Sequence, residues 1–144
     1  MKVSETMTRE VHIASPDETL QHAAREMAGI DAGALPVGEG DRLVGMITDR
    51  DIAIKGVANG KGPNTPVREV MTEDVKYCFD DQEIDEVIAN MADIQVRRLP
   101  VLNHDKRLVG IVSLGDIALS KDGSGTGKAL SGISRPGGAH SQTG

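Results

Sequence analysis

Two stretches of this chain place a hydroxyl and an acid at a fixed spacing behind a glycine. They read Gly45-Met46-Ile47-Thr48-Asp49-Arg50-Asp51 and Gly110-Ile111-Val112-Ser113-Leu114-Gly115-Asp116. The shared pattern is Gly, two apolar residues, Thr or Ser, two variable residues, Asp. Each copy lies where an apolar strand pattern gives way to helical spacing. Free backbone N–H groups and the positive end of a helix therefore meet the hydroxyl. Such a turn suits a phosphate, and an Asp there can accept hydrogen bonds from both hydroxyls of a ribose. The same residue types also describe an ordinary helix N-cap with an acid in its first turn. Two copies at matching places weigh toward a ligand-binding ancestry.

The matching places come from an internal duplication. Residues 3–54 can be laid over residues 67–119 with one inserted residue, Lys106. At an offset of 64, Val3 meets Val67, Met7 meets Met71, Thr8 meets Thr72, and Leu35-Pro36-Val37 meets Leu99-Pro100-Val101. After the insertion, Arg42-Leu43-Val44-Gly45 meets Arg107-Leu108-Val109-Gly110. A repeat of about 50 residues is close to the size at which a single core becomes marginal, so the copies are expected to share one stable assembly. The organisation expected is a first repeat over 1–60, a linker over 61–66, a second repeat over 67–121, and a disordered Gly/Ser-rich tail over 122–144.

Each repeat must supply the elements that hold the turn. Val11-His12-Ile13-Ala14 is read as a short strand. Ser15-Pro16-Asp17-Glu18 has the form of a capping box with Pro at the first helical position. Leu20, Ala23, Ala24, Met27 and Ala28 follow at helical spacing, as do Ile84, Val87, Ile88, Met91 and Ala92 behind the acidic pair Asp80 and Asp81. Ala34-Leu35-Pro36-Val37 is an extended segment whose Pro favours a strand start or an edge. A turn at Gly38-Glu39-Gly40-Asp41 leads to the buried strand Leu43-Val44-Gly45-Met46-Ile47. Thr48-Asp49-Arg50-Asp51 opens a second helix. The order is strand, helix, strand, strand, helix.

Composition narrows the function classes. The net charge is −6, and one Tyr and one Phe are the only aromatics. Nucleic acid and anionic membranes need clustered cations, and single strands need stacking platforms, so neither partner is expected. A single Cys78 permits no intramolecular disulfide, no run approaches a membrane span, and the N-terminus lacks a signal-peptide pattern. A soluble cytoplasmic protein is the expectation.

Other chemistry-bearing residues are weaker candidates. His12, His22, His104 and His140 show no His-x-x-x-His spacing, and no metal site is expected within one chain, with a site completed across a dimer left open. Cys78 reads as a small buried apolar residue. Gly123 to Lys128 superficially suggests a phosphate loop but lacks its spacing. No His, Lys or second carboxylate is placed by motif to assist Asp51, Asp116, Thr48 or Ser113 as acid or base, so an enzyme is not expected.

The chain resembles a tandem cystathionine-β-synthase (CBS) domain pair, or Bateman module, of the stand-alone bacterial type. The carriers are Val67-Arg68-Glu69-Val70-Met71-Thr72, Arg98-Leu99-Pro100-Val101 and Leu108-Val109-Gly110-Ile111-Val112-Ser113-Leu114-Gly115-Asp116-Ile117, with their first-repeat counterparts. Their order and duplication carry the resemblance across residues 3–120. It implies an α/β (α+β) fold of two β-α-β-β-α repeats packed with pseudo-twofold symmetry. It also implies two clefts for adenosine-containing ligands such as AMP, ADP, ATP or S-adenosylmethionine, none of them a required cofactor. One cleft would hold Met46, Thr48, Arg50 and Asp51 with Thr72, Lys76, Val96 and Arg97. The other would hold Ile111, Ser113 and Asp116 with Thr8, His12, Ala32 and Gly33. Lys76 and Arg97 would bias the first cleft toward charged phosphates, unless Arg97-Arg98 is only a solvated surface pair. The role implied is a non-enzymatic regulatory module, homodimeric, that signals to a protein target in trans. The alternative is a structural or interaction dimer without useful nucleotide affinity.

Overall fold

The helical stripe of the second repeat forms as expected, and its neighbours show how the repeats are built. In the computed structural model, which describes residues 1–118 of the 144, Ile84, Val87, Ile88 and Met91 form the buried face of a helix at Ile84–Ile94. The expected tail over 122–144 lies outside the described residues. Among the described residues two compact units are present, Val11–Val75 and residues 1–10 with 76–118. These units do not coincide with the sequence repeats. The first ten residues of repeat one belong to the unit of repeat two, and residues 67–75 of repeat two belong to the unit of repeat one.

In the unit Val11–Val75, helix α1 covers Leu20–Ile30, strands β1 and β2 cover Ala34–Glu39 and Arg42–Thr48, and α2 covers Asp49–Asp51. A single π-helical stretch, Ile52–Gly56, continues α2. The strand read at Val11-His12-Ile13-Ala14 is reduced to one parallel bridge, Ala14 to Val37. The helix also starts later than the capping-box pattern suggests. Ser15 and Glu18 do bond, through Ser15 N–H to Glu18 Oε1, but they close a turn ahead of the helix. Thr19 is the cap, its Oγ1 accepting from His22 N–H at 3.1 Å. Two overlapping cap patterns compete here, and backbone pairing with residues 63–68 decides between them: Leu20 N–H donates to Thr65 C=O at 2.9 Å, and Pro16 and Glu18 C=O accept from Arg68 and Val67 N–H at 3.0 and 2.8 Å.

In the other unit, β3 at Cys78–Phe79 runs parallel to β4 at Arg98–Leu102, and β4 is antiparallel to β5 at Leu108–Ser113. α3 is Ile84–Ile94, and α4 begins at Leu114. This unit realises the full strand, helix, strand, strand, helix order. Helices α1 and α3 each end in a left-handed residue, Asp31 at φ 54° and Gln95 at φ 58°. The inserted Lys106 sits in the β4–β5 hairpin, also left-handed, at φ 61°.

The cores confirm that the units are cross-built. Val3 and Met7 pack with Cys78, Ile84, Val87, Met91, Leu99, Val112 and Ile117. Val67 and Val70 pack with Ala14, Leu20, Ala23, Met27, Leu35, Val37 and Ile47. Cys78 is 1% exposed, and burial pushes its thiol up to about 12. A thiol held protonated is a poor nucleophile. Native protein is therefore expected to react with a disulfide reagent at pH 8 only as fast as the unit opens, with prompt reaction in denaturant. Stoichiometric labelling of the native protein within the mixing time would contradict this.

Candidate functional site

Pro36 and Pro100 fix how each site is assembled. Pro lacks a backbone N–H and is tolerated in a non-hydrogen-bonded pair of the hairpin, where the register turns its partner's own N–H and C=O outward. Pro36 pairs with Met46, and Pro100 with Ile111. Met46 then exchanges backbone bonds with Thr72, at 2.9 Å from Met46 N–H and 2.8 Å to Met46 C=O. Ile111 does the same with Thr8, at 2.9 and 2.8 Å. Gly45 and Gly110 allow this approach. A Cβ at Gly45 would lie 2.9 Å from the Thr72 carbonyl oxygen, and one at Gly110 would lie 2.8 Å from that of Thr8.

The hydroxyl–acid turns are reciprocal capping boxes. Thr48 N–H donates to Asp51 Oδ2 at 3.1 Å, and Asp51 N–H donates to Thr48 Oγ1 at 3.0 Å. Ser113 and Asp116 repeat the arrangement at 3.1 Å in both directions. The helix-cap geometry open at the sequence level is thus realised in both copies. It does not consume the carboxylates, because each oxygen accepts more than one hydrogen bond.

Around this shared frame the two turns differ. Lys55 Nζ lies 3.2 Å from Asp51 Oδ1 and donates to Thr72 Oγ1 at 3.3 Å. Thr8 Oγ1 instead reaches both Asp116 carboxylate oxygens at 3.4 Å, while Thr6 Oγ1 donates to the Asp116 carbonyl at 3.1 Å. Lys55 was absent from the expected set. Its signal was the Asp51–Lys55 spacing of four on a helical segment, which places an acid one turn ahead of a base. At the matching position the second repeat has Ser120.

The remaining expected residues fall as follows. Met46, Thr48, Asp51 and Thr72 come together in one unit, and Ile111, Ser113, Asp116 and Thr8 in the other. Arg50 is exposed beside Asp51, its N–H donating to Asp49 Oδ1 at 2.8 Å. Ala32 and Gly33 belong to the unit of Asp51, where they line an open hollow of about 380 Å³ with Ala24, Ala28, Asp49 and Ile52. Gly33 C=O accepts from Asp49 N–H at 2.9 Å, tying β1 to the turn. Lys76, Val96 and Arg97 belong to the unit of Asp116. Arg97 C=O accepts from Leu114 N–H at 3.0 Å, and half-buried Val96 packs against the core. His12 is exposed, with Nδ1 3.9 Å from Glu26 Oε1. No helix among the described residues is long and apolar enough to cross a membrane.

Comparison with known proteins gives the same pattern. A family model for the CBS domain matches residues 3–56 and again residues 67–121. The chain is 41% identical over 133 residues to the CBS domain-containing protein YhcV of Bacillus subtilis, covering 92% of this chain and 94% of that one. It is 50% identical over 103 residues to hypoxic response protein 1 of Mycobacterium tuberculosis, covering 70% and 71%. A crystal structure of hypoxic response protein I with two coordinated zinc ions matches at TM-score 0.75 and 43% identity, covering 82% and 97%. The CBS domain pair of protein MJ0100, solved with 5-methylthioadenosine and S-adenosylmethionine, matches at TM-score 0.73 and 28% identity, covering 82% and 93%.

Proposed function

We propose, for a chain that belongs to the CBS domain family as a tandem pair, the role of a non-enzymatic sensor of adenosine-containing ligands. CBS pairs are regulatory modules. The observation that carries the reading is the duplicated turn in which a hydroxyl, a carboxylate and a second Thr hydroxyl converge, as Thr48, Asp51 and Thr72 and as Ser113, Asp116 and Thr8. The carboxylate accepts from ribose hydroxyls, and the hydroxyls and the helix start serve the phosphate side. The MJ0100 pair, with its adenosine-containing ligands, supports the ligand class.

The Asp51 turn is the one suited to charged phosphates, because Lys55 stands beside Asp51 and Thr72. The Asp116 turn is held by neutral hydroxyls and suits a less anionic adenosine compound. Isothermal titration with AMP and ATP tests this directly. Hydrogen bonds to a charged group are worth about 1.5–3 kcal/mol, so Asp51→Ala is expected to weaken ATP binding by about 10–100-fold. Asp116→Ala is expected to leave most of the ATP affinity in place. Equal losses from the two substitutions would sink the asymmetry.

A second reading rests on the same hydrogen bonds. Both carboxylates already have partners within their own unit, which is what a purely structural helix cap requires. In that case the protein is an interaction module without nucleotide affinity. A ligand that binds only the folded state must raise its melting temperature. A panel of AMP, ADP, ATP and S-adenosylmethionine that leaves the melting curve unmoved would favour this second reading.

A further inference from the structure

Away from the hydroxyl–acid turns, one face of α1 gathers donors that the nucleotide reading does not use. Glu18, His22 and Glu26 follow one another at intervals of four, a spacing that stacks side chains on one face of a helix. Glu18 sits just ahead of α1, where the turn from Ser15 aims it along the helix: Ser15 N–H bonds its Oε1, and Glu18 N–H donates to the Ser15 carbonyl at 3.2 Å. Its other oxygen, Oε2, lies 2.6 Å from His22 Nδ1. One ligand atom each from Glu18, His22 and Glu26 lies within 4.8 Å of the others. A fourth donor comes from outside the helix. His12, on the extended segment before the turn, places Nδ1 3.9 Å from Glu26 Oε1.

A second, separate feature points to an occupant. Glu18 Oε2 and Glu26 Oε2 are both shut off from water; Glu18 Oε2 faces the His22 imidazole, and Glu26 Oε2 has no hydrogen-bond donor. A carboxylate oxygen hidden from solvent without a donor is costly. Two hidden carboxylate oxygens on one helix face, one with only an imidazole beside it and one with no donor, leave a concentrated demand for positive charge. A bound cation satisfies it with the imidazoles neutral.

We infer that Glu18, His22 and Glu26, with His12 as fourth donor, form a site for one divalent ion of the zinc class. The donor set decides the class. Two imidazole nitrogens and two carboxylates suit tetrahedral zinc, with bonds of about 2.0–2.2 Å. Calcium takes about six to eight oxygens, and magnesium keeps to oxygen in octahedral geometry. The ligand atoms of Glu18, His22 and Glu26 already lie within 4.8 Å of one another, and His12 Nδ1 lies 3.9 Å from Glu26 Oε1, so side-chain adjustment would close the set on such an ion. The bound ion would fasten the His12 segment to α1, so occupancy stabilises this unit independently of any nucleotide.

The test is titration of Zn²⁺ alone into the metal-free full-length protein, without nucleotide, read by calorimetry and by thermal melting. Saturable one-to-one binding with a raised melting temperature is expected, together with shifts of the His22 and His12 imidazole signals in NMR. His22→Ala and Glu26→Gln are each expected to weaken binding by about 10-fold or more. The His22 side chain is 62% exposed, so its removal leaves the metal-free fold intact, as the metal-free melting curve will verify. His104→Ala, on the other unit, is expected to bind like the parent protein. Absence of saturable binding, or undiminished affinity in His22→Ala, would overturn the site. Undiminished affinity in His12→Ala would overturn its place as fourth donor.

Discussion

Removal of residues 1–9 is expected to unfold the unit that carries the second repeat. The segment contributes Val3 and Met7, 0% and 9% exposed, to that unit's core. Full burial of such side chains is worth about 1.5–3 kcal/mol each. The segment also supplies the outer hydrogen bonds of β5 through Thr8, and Val3 N–H and Ser4 N–H cap the loop before α3 at 3.0 Å on the Gln82 and Asp80 carbonyls. The summed loss, about 5 kcal/mol, is comparable to the whole stability of a small domain. Circular dichroism should show a large fall in the melting temperature, and amide exchange at Val101 and Val112 should become fast. A truncated chain that melts like the full one would mean that these contacts contribute little.

Gly45→Ala and Gly110→Ala are expected to destabilise the protein by about 1–3 kcal/mol each, the usual cost of overpacking. The added methyl would lie 2.8 Å from Met71 Sδ in one unit and 2.7 Å from Met7 Sδ in the other. Methionine can move, but the Thr72 and Thr8 carbonyls behind it are held in the backbone pairing with Met46 and Ile111. Relief requires the segment to retreat, which also withdraws the Thr hydroxyl from the acid. Gly29→Ala is the control. It lies in α1 with nothing within 4 Å of the added carbon, so it is expected to stabilise by about 0.5–1 kcal/mol through helix propensity. Chemical denaturation of the three variants measures all of these. Equal effects at Gly29 and Gly110 would show that close approach is not what the strand glycines provide.

The same glycines mark where sequence reading stopped. Gly45 and Gly110 were visible as the first letter of a duplicated pattern, but their reason was not, because it lies in a segment distant in sequence. The helix stripes through Met27 and Met91 were legible from period alone, since burying one face of an 11-residue helix requires apolar residues three and four apart. The start of α1 differs from the local pattern because Ser15 and Thr19 both satisfy cap chemistry, and backbone pairing of residues 16–21 with residues 63–68 decides between them. The strand at residues 11–14 was overread because a single bridge is all that the geometry of β1 provides there.

For the candidate site, the paired hydroxyls and acids were legible because duplication repeats them at a constant offset. Lys55 is signalled only by its spacing of four from Asp51, which any ordinary helical ion pair shares, so its place beside Thr72 comes from the fold. The grouping of Glu18, His22 and Glu26 is not signalled by His-to-His spacing, and Glu18 reads locally as the acid of a capping box.

The sequence by itself determined the duplication, the CBS family, the helix faces and the two hydroxyl–acid turns, since all follow from local periodicity and repetition. Tertiary structure alone decided that the opening segment of each repeat completes the unit of the other. The hairpin register leaves one strand with outward hydrogen-bonding groups, glycine clears the space beside it, and among the described residues Thr8 and Thr72 with the methionines before them fill that space. No local pattern records that exchange, because the energy that drives it is the burial of Val3, Met7, Val67 and Val70 against residues far away in the chain.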